Sequence, residues 1–317
     1  MGSPPDAFAP TPEIRQQRRW LHITLLVLTL LSTTTVGGRY ALDFALNQPP
    51  FSGDYVDGLA EILMSPALLA AGLPFSLTLL GILMAHEMGH YLACVHYDVD
   101  ASWPYFLPVP TPIGTMGAFI RIRSPIYSKA ALFDIGIAGP LAGFVTLLPA
   151  LAIGLAYSKV IPGIATQGFL IFGTPLLQHG LSGLIFPGTS VDDIYLHPIA
   201  RAAWVGLLAT ALNLLPIGQL DGGHILYAFF SNRHRLLSRI FAGILLALGI
   251  VLWRTAGLAG WIVWAVLLLA FGMRHPTIHD WRMPGRGRTA LAILALAIFV
   301  LSFCLIPLSL AAGESLP

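Results

Sequence analysis

The chain has 317 residues, 56% apolar and 10% charged, with a mean hydropathy of +0.76, which excludes an ordinary soluble domain and places the protein in lipid. The net charge of +2 is carried by basic residues set between apolar runs, so they read as topology determinants and no nucleic-acid partner is implied. The two cysteines, Cys94 and Cys304, are far apart and lie in or beside apolar segments, which excludes a disulfide framework and a thiolate metal site.

About nineteen polar, Pro-rich residues precede Trp20, and no small-residue cleavage site follows the first apolar run, which therefore reads as a retained helix. Predicted spans are Trp20 to Val36, Ala67 to about Cys94, Ala131 to Tyr157, Ile199 to Pro216, Leu236 to Trp253, Leu258 to Phe271 and Ala290 to Pro307. Between the second and third, the segment from Trp103 to Ser124 is Pro-rich and then alternates over Ile120, Arg121, Ile122 and Arg123. That stretch is too short and too basic to span, and it predicts a membrane-skimming hairpin whose free edge can hold an unwound substrate segment. The stretch Gly168 to Phe186 is broken by Gly173, Pro175, His179 and Gly180, and is a re-entrant, interfacial or weak eighth span. The expectation is an all-α polytopic membrane protein with seven or eight transmembrane helices and a short membrane-associated β-hairpin. It forms a single membrane domain over 1–317, with a catalytic core at about 67–230, an extra helix at 20–36 and C-terminal helices over 236–307.

Charge supports the seven-span order. Arg15, Arg18 and Arg19, then Arg121, Arg123 and Lys129, then Arg233, Arg235 and Arg239, then Arg274, Arg282, Arg286 and Arg288 fall on one side, and Asp54, Asp57, Glu61, Asp192 and Asp193 on the other. The N-terminus is expected in the cytoplasm. The lack of a long Ser- and Arg-rich leader favours a bacterial inner membrane over a plastid one.

The string His86-Glu87-Met88-Gly89-His90 is an HExxH motif at the cytoplasmic end of the second span. Two histidines four apart lie about 40° apart around a helix, so both imidazoles reach one Zn2+ ion, and Glu87 beside them can take a proton from an attacking water. With ten His and four Glu in the chain, a random shuffle contains HExxH with a probability on the order of half a percent. Ionisable groups inside an apolar segment also cost a few kcal/mol each unless coordinated, paired or hydrated.

A catalytic zinc site takes a third protein ligand. Glu314, the sole Glu downstream, is expected on the opposite side of the membrane. His96 would lie about 120° around and about 9 Å beyond His90 on a continuing helix, and Ala93 stands where the longer HExxHxxGxxH pattern needs glycine. Asp221 is the better choice, because it falls at the cytoplasmic end of the fourth span, in Asn213-Leu-Leu-Pro216-Ile-Gly-Gln-Leu220-Asp221-Gly222-Gly223. There a proline interrupts the helix and two glycines let the backbone turn.

HExxH followed by NxxPxxxLDGG resembles the site-2 protease family of intramembrane zinc proteases, most strongly over about 67–230, and most like its plastid and bacterial group without a PDZ insertion. The resemblance implies that His86, His90 and Asp221 hold Zn2+, that Glu87 is the catalytic base, and that Asn213 positions substrate or stabilises the oxyanion. It also implies transmembrane protein substrates cut within the lipid bilayer.

Three further features stand apart from this set. Gly136, Gly139 and Gly143 read as a helix-packing face. His275 and His279 read as a surface loop, and His224 is unassigned. The competing readings are a divalent-metal transporter using the same three ligands, for which midplane placement and internal repeats are missing, and an inactive relative that binds membrane proteins.

Overall fold

The computed structural model describes residues 18–51, 55–167, 170–256, 258, 260–271, 278, 280 and 282–310. Its helices are α1 (Arg19–Leu46), α2 (Tyr55–Met64), α3 (Pro66–His96), α4 (Lys129–Ala156), α5 (Leu176–Ile185), α6 (Pro198–Asn213), α7 (Asp221–Phe230), α8 (His234–Ala256), α9 (Gly260–Phe271) and α10 (Arg286–Ser302). His275, His279 and Glu314 lie outside the described residues.

Among the described residues, four helices are long and apolar enough to cross a membrane: Arg19–Leu46, Pro66–His96, Lys129–Ala156 and His234–Thr255. Their outer faces expose large apolar side chains such as Ile23, Leu77, Val145 and Ile244, as lipid contact requires. The other expected spans are helices of 16, 12 and 17 residues for α6, α9 and α10, about 24, 18 and 26 Å long against a hydrocarbon core of about 30 Å. Helix α6 is central, with Ala200, Ala202, Ala203, Trp204 and Leu207 fully buried. Helix α5 has ten residues, about 15 Å.

Helix α1 continues ten residues past the expected Val36 to Leu46, through Gly37, Gly38 and Arg39. The threonine hydroxyls return to the helix, with Thr33 Oγ1 donating to the Thr29 carbonyl at 2.7 Å and Thr35 Oγ1 to Leu31 at 2.9 Å. Arg39 pairs with Asp43 one turn on at 3.1 Å, and Gly37 and Gly38 pack on Gly72 and Leu68 of α3. Caps fix where the helices begin: Ser65 and Ser128 accept from the Leu68 and Ala131 amides of α3 and α4, and Pro198 follows the His197 cap of α6.

Helix α3 packs against α1, α4 and α6. Beside its lower half, β1 (Tyr105–Pro108) and β2 (Thr115–Phe119) pair antiparallel, with Tyr105 opposite Phe119 and Phe106 opposite Ala118. The paired strand precedes the alternating stretch that suggested it; Ile122 makes only an isolated bridge to Ala101. Side-chain packing explains the choice, since Phe106 is fully buried and Tyr105 stacks on Phe119 at 5.3 Å. Short pairs also join β3 (Lys159–Val160) to β5 (Ile194–Tyr195) and β4 (Leu170–Phe172) to β6 (Leu308–Leu310). Arg288 of α10 forks onto Asp134 of α4, at 2.6 and 2.9 Å, and reaches the Tyr97 hydroxyl just beyond α3 at 3.3 Å; that hydroxyl also donates to Asp134.

A Cβ at Gly72 would press on the Thr34 carbonyl and Gly38 amide of α1. Gly72→Val is expected to destabilise the protein by about 1–3 kcal/mol through overpacking, seen as a lower midpoint of thermal unfolding in detergent.

Candidate metal centre

His86, Glu87 and His90 stand one turn apart in α3 and are 4–7% exposed, so their polar atoms must find partners inside the bundle. The His86 and His90 Nε2 atoms lie 3.1 Å apart. Asp221 meets both, Oδ2 at 3.3 Å from His86 Nε2 and Oδ1 at 3.3 Å from His90 Nε2.

Asp221 is aimed by a break in the chain. Helix α6 ends at Asn213, the loop contains Pro216 and a left-handed Gly218 (φ 55°), and α7 begins at Asp221. Gly222 and Gly223 let that helix start against the end of the preceding one: side chains there would strike the Leu214, Leu215, Ile217 and Gly218 carbonyls. The carboxylate occupies the first turn of α7, where the helix dipole favours a negative charge.

The glycine face of α4 makes room for the ligands. A Cβ at Gly139 would enter the His90 imidazole, one at Gly143 would sit 3.2 Å from His86 Cβ, and one at Gly136 would touch His224 Cβ at 2.9 Å. Gly89, inside HExxH, has the reciprocal role, since its Cβ would meet the Ala138 carbonyl of α4. The Ile135 carbonyl accepts from His90 Nδ1 at 2.7 Å, which leaves the Nε2 lone pair directed at the centre. Pro140 has no N–H to give Gly136 and relaxes the helical ladder at this turn.

His86, His90 and Asp221 form the one group of three potential metal ligands among the described residues, their donor atoms within 4.8 Å of one another. Two imidazole nitrogens and a carboxylate turned on one point supply lone pairs in excess of protons, a donor set that suits a Zn2+ ion. His96 is exposed at the end of α3 and lies edge-on to Tyr97. Asn213 points its Nδ2 at His86 Nε2, 3.2 Å away. The Ile120 amide, just past β2, faces the Glu87 carboxylate. Glu87, Asn213 and Ile120 line an open cleft with Phe119, Gln219 and His224. The backbone roles of Ile135 and Ile120 left no mark in the sequence. The glycines did, as a small-residue face, but not that their neighbours are the ligands themselves.

A helical membrane bundle holding a buried His-His-carboxylate triad beside a glutamate has the parts of a metal-dependent hydrolase. The profile of peptidase family M50 matches residues 74–255, more than half of the chain, and the chain belongs to that family. It is similar to the probable zinc metalloprotease EGY1, chloroplastic, of Arabidopsis thaliana, 30% identical over 302 residues covering 89% of this chain and 53% of the relative. It resembles EGY1 of Oryza sativa subsp. japonica, 32% identical over 249 residues (75% and 41%), and Arabidopsis EGY2, 28% over 279 (86% and 48%). The chain thus spans about half the length of these curated relatives. Their chloroplastic names do not fit the bacterial inner membrane expected above.

Gly139→Ala should push the His90 ring from its position and weaken Zn2+ binding on the order of 10-fold or more, measured by competition with a chelator. An unchanged affinity would show that the close α4 approach does not set the imidazole.

Proposed function

We propose that this chain is an intramembrane zinc metalloprotease that hydrolyses peptide bonds within or near transmembrane segments of membrane-protein substrates. The observation that carries the reading is the convergence of His86, His90 and Asp221 beside Glu87, together with membership of family M50.

His86, His90 and Asp221 would hold a Zn2+ ion, which when bound would supply Lewis acidity towards a peptide carbonyl and an attacking water. The residues around it do the rest. Glu87 accepts a proton from the attacking water as the new C–O bond forms, then delivers it to the amide nitrogen as the C–N bond breaks. The Asn213 amide, already turned on the centre, donates to the developing oxyanion. The His90 Nδ1–H to Ile135 carbonyl bond holds that imidazole in the ligating tautomer. A substrate helix must unwind to present its bond, and the β1–β2 pair, whose end faces Glu87, is the edge we assign to receive the strand.

The arrangement we assign has seven spans with the N-terminus cytoplasmic, in one membrane domain with the catalytic core at about 67–230. Contacts between loops support it. Groups expected on the cytoplasmic side meet each other: Arg288 with Tyr97 and Asp134, and the Lys129 amide with Asp280 at 3.0 Å. So do those expected opposite: Lys159 with Asn47 at 2.8 Å, and Tyr195 with the Gln48 carbonyl at 2.5 Å. The ten residues of α5 are too few for an eighth crossing.

Glu87→Gln is expected to abolish cleavage of a membrane-embedded reporter while zinc stays bound, Asp221→Ala to lose zinc as well, and Asn213→Ala to lower kcat about 10²–10³-fold. Cleavage surviving Glu87→Gln would sink the reading. For the topology, Tyr127→Cys and Tyr157→Cys, at exposed positions flanking α4, in a background of Cys94→Ala and Cys304→Ala, should label from opposite faces of oriented vesicles, residue 127 from the cytoplasmic one.

A further inference from the structure

Helix α8 begins beside the break that aims Asp221, and its first five residues carry two polar side chains into the closed part of the bundle. His234 and Ser238 stand four residues apart, hence on one helical face, and each is 1% exposed. A buried imidazole or hydroxyl costs free energy unless it is hydrogen-bonded, and here the partners belong to the link between α6 and α7. Ser238 Oγ accepts from the Gly218 amide at 3.3 Å and lies 3.5 Å from His234 Nε2. The Gly218 and Gly223 carbonyls face the His234 ring as acceptors. The Tyr227 ring of α7 meets the His234 ring edge-on at 5.3 Å.

These bonds fall where the link has least support of its own. Gly218 lies between the two helices in the left-handed region, at φ 55°, so its N–H and C=O have no helical ladder to join. The Gly218 carbonyl packs in turn against the first turn of α7, where a Cβ at Gly223 would come within 2.3 Å of it. Gly223 is two residues from Asp221 in that same turn, and the Asp221 carboxylate stands 3.3 Å from both imidazoles. Contacts therefore run without a gap from His234 and Ser238, through Gly218 and Gly223, to the carboxylate. Apolar packing of Leu215 and Ile217 with Ala242 and Leu245 of α8 also joins the parts, but such packing is non-directional. The hydrogen bonds add direction, and with it the angle at which α7 starts.

We propose that His234 and Ser238 are positioning residues for the metal centre, holding Gly218 and Gly223 so that α7 begins with the Asp221 carboxylate turned on His86 and His90. The inference rests on the metal reading of that site, and it extends the machinery past residue 230 into the start of α8.

The test uses the full chain in a neutral detergent. Zn2+ affinity is read by competition with a chelator, and the metal-free protein gives the midpoint of thermal unfolding and the hydrogen exchange of residues 216–223. Ser238→Ala is expected to weaken Zn2+ binding about 10-fold and to speed exchange at the Gly218 amide. Leu252→Ala, a packing change farther along α8, should lower the midpoint at least as much and leave the affinity unchanged. His234→Leu should weaken Zn2+ binding as Ser238→Ala does. Should it fail to fold, Ser238→Thr, which keeps the hydroxyl, should hold the affinity that Ser238→Ala loses. Binding lost in Asp221→Ala but kept in Ser238→Ala overturns this proposal alone, as does an equal loss in Leu252→Ala. Equal binding in wild type and Asp221→Ala overturns the metal reading and this proposal with it.

Discussion

The structure depends on three lone-pair donors from two separated helices meeting inside an apolar bundle. A carboxylate and two imidazoles removed from water at this depth are costly unless each answers another or a shared cation. The 3.3 Å contacts from Asp221 to both imidazoles show how closely they meet. This closeness is set by absent side chains. Gly139 and Gly143 admit the rings, Gly89 admits the α4 backbone, and Gly222 and Gly223 let α7 begin against the carbonyls at the end of α6. Small-residue faces of this type usually serve helix contact alone; here the same contact fixes the ligand geometry.

The break between α6 and α7 has a second consequence. A continuous helix would carry Asn213 and Asp221 about 12 Å apart along its axis. Interrupted at Pro216 and restarted at Asp221, the chain brings both to the His86 Nε2 atom, at 3.2 and 3.3 Å. The Asn213 amide and the Asp221 carboxylate thus approach one atom from either side of the interruption. The end of the β1–β2 pair closes the cleft from another direction through Ile120.

Much of this was legible in the residues because the chemistry is local in sequence. HExxH places three groups on one helical turn, and the PxxxLDGG string advertises a broken helix with an acid at its restart. The length of α1 was not legible, because Gly37, Gly38 and Arg39 after the expected end at Val36 look like an exit from the membrane unless one knows that the glycines pack on α3 and that Arg39 meets Asp43. Within the segment Trp103 to Ser124, the antiparallel pairing falls ahead of the alternation at Ile120 to Arg123, because Phe106 is buried opposite Ala118. Backbone contributions, the Ile135 carbonyl above all, carry no side-chain signature.

Helix α6 also bears on how its two ends relate. It is buried along most of its length, with Asn213 at the candidate metal centre and Arg201 buried near the other end. Charges about 18 Å apart interact by only about 1 kcal/mol at an effective dielectric of 20. The Arg201 charge therefore changes the electrostatics at Asn213 too little to govern proton transfer there. What sets the seating of α6 between α3 and α4 is close packing, where Gly206 leaves 3.0 Å between a Cβ and Ile82 and where Gly154 closes on Ala200. The helix that carries Asn213 is held by packing along its length, and the chemistry is left to the groups that touch the cleft.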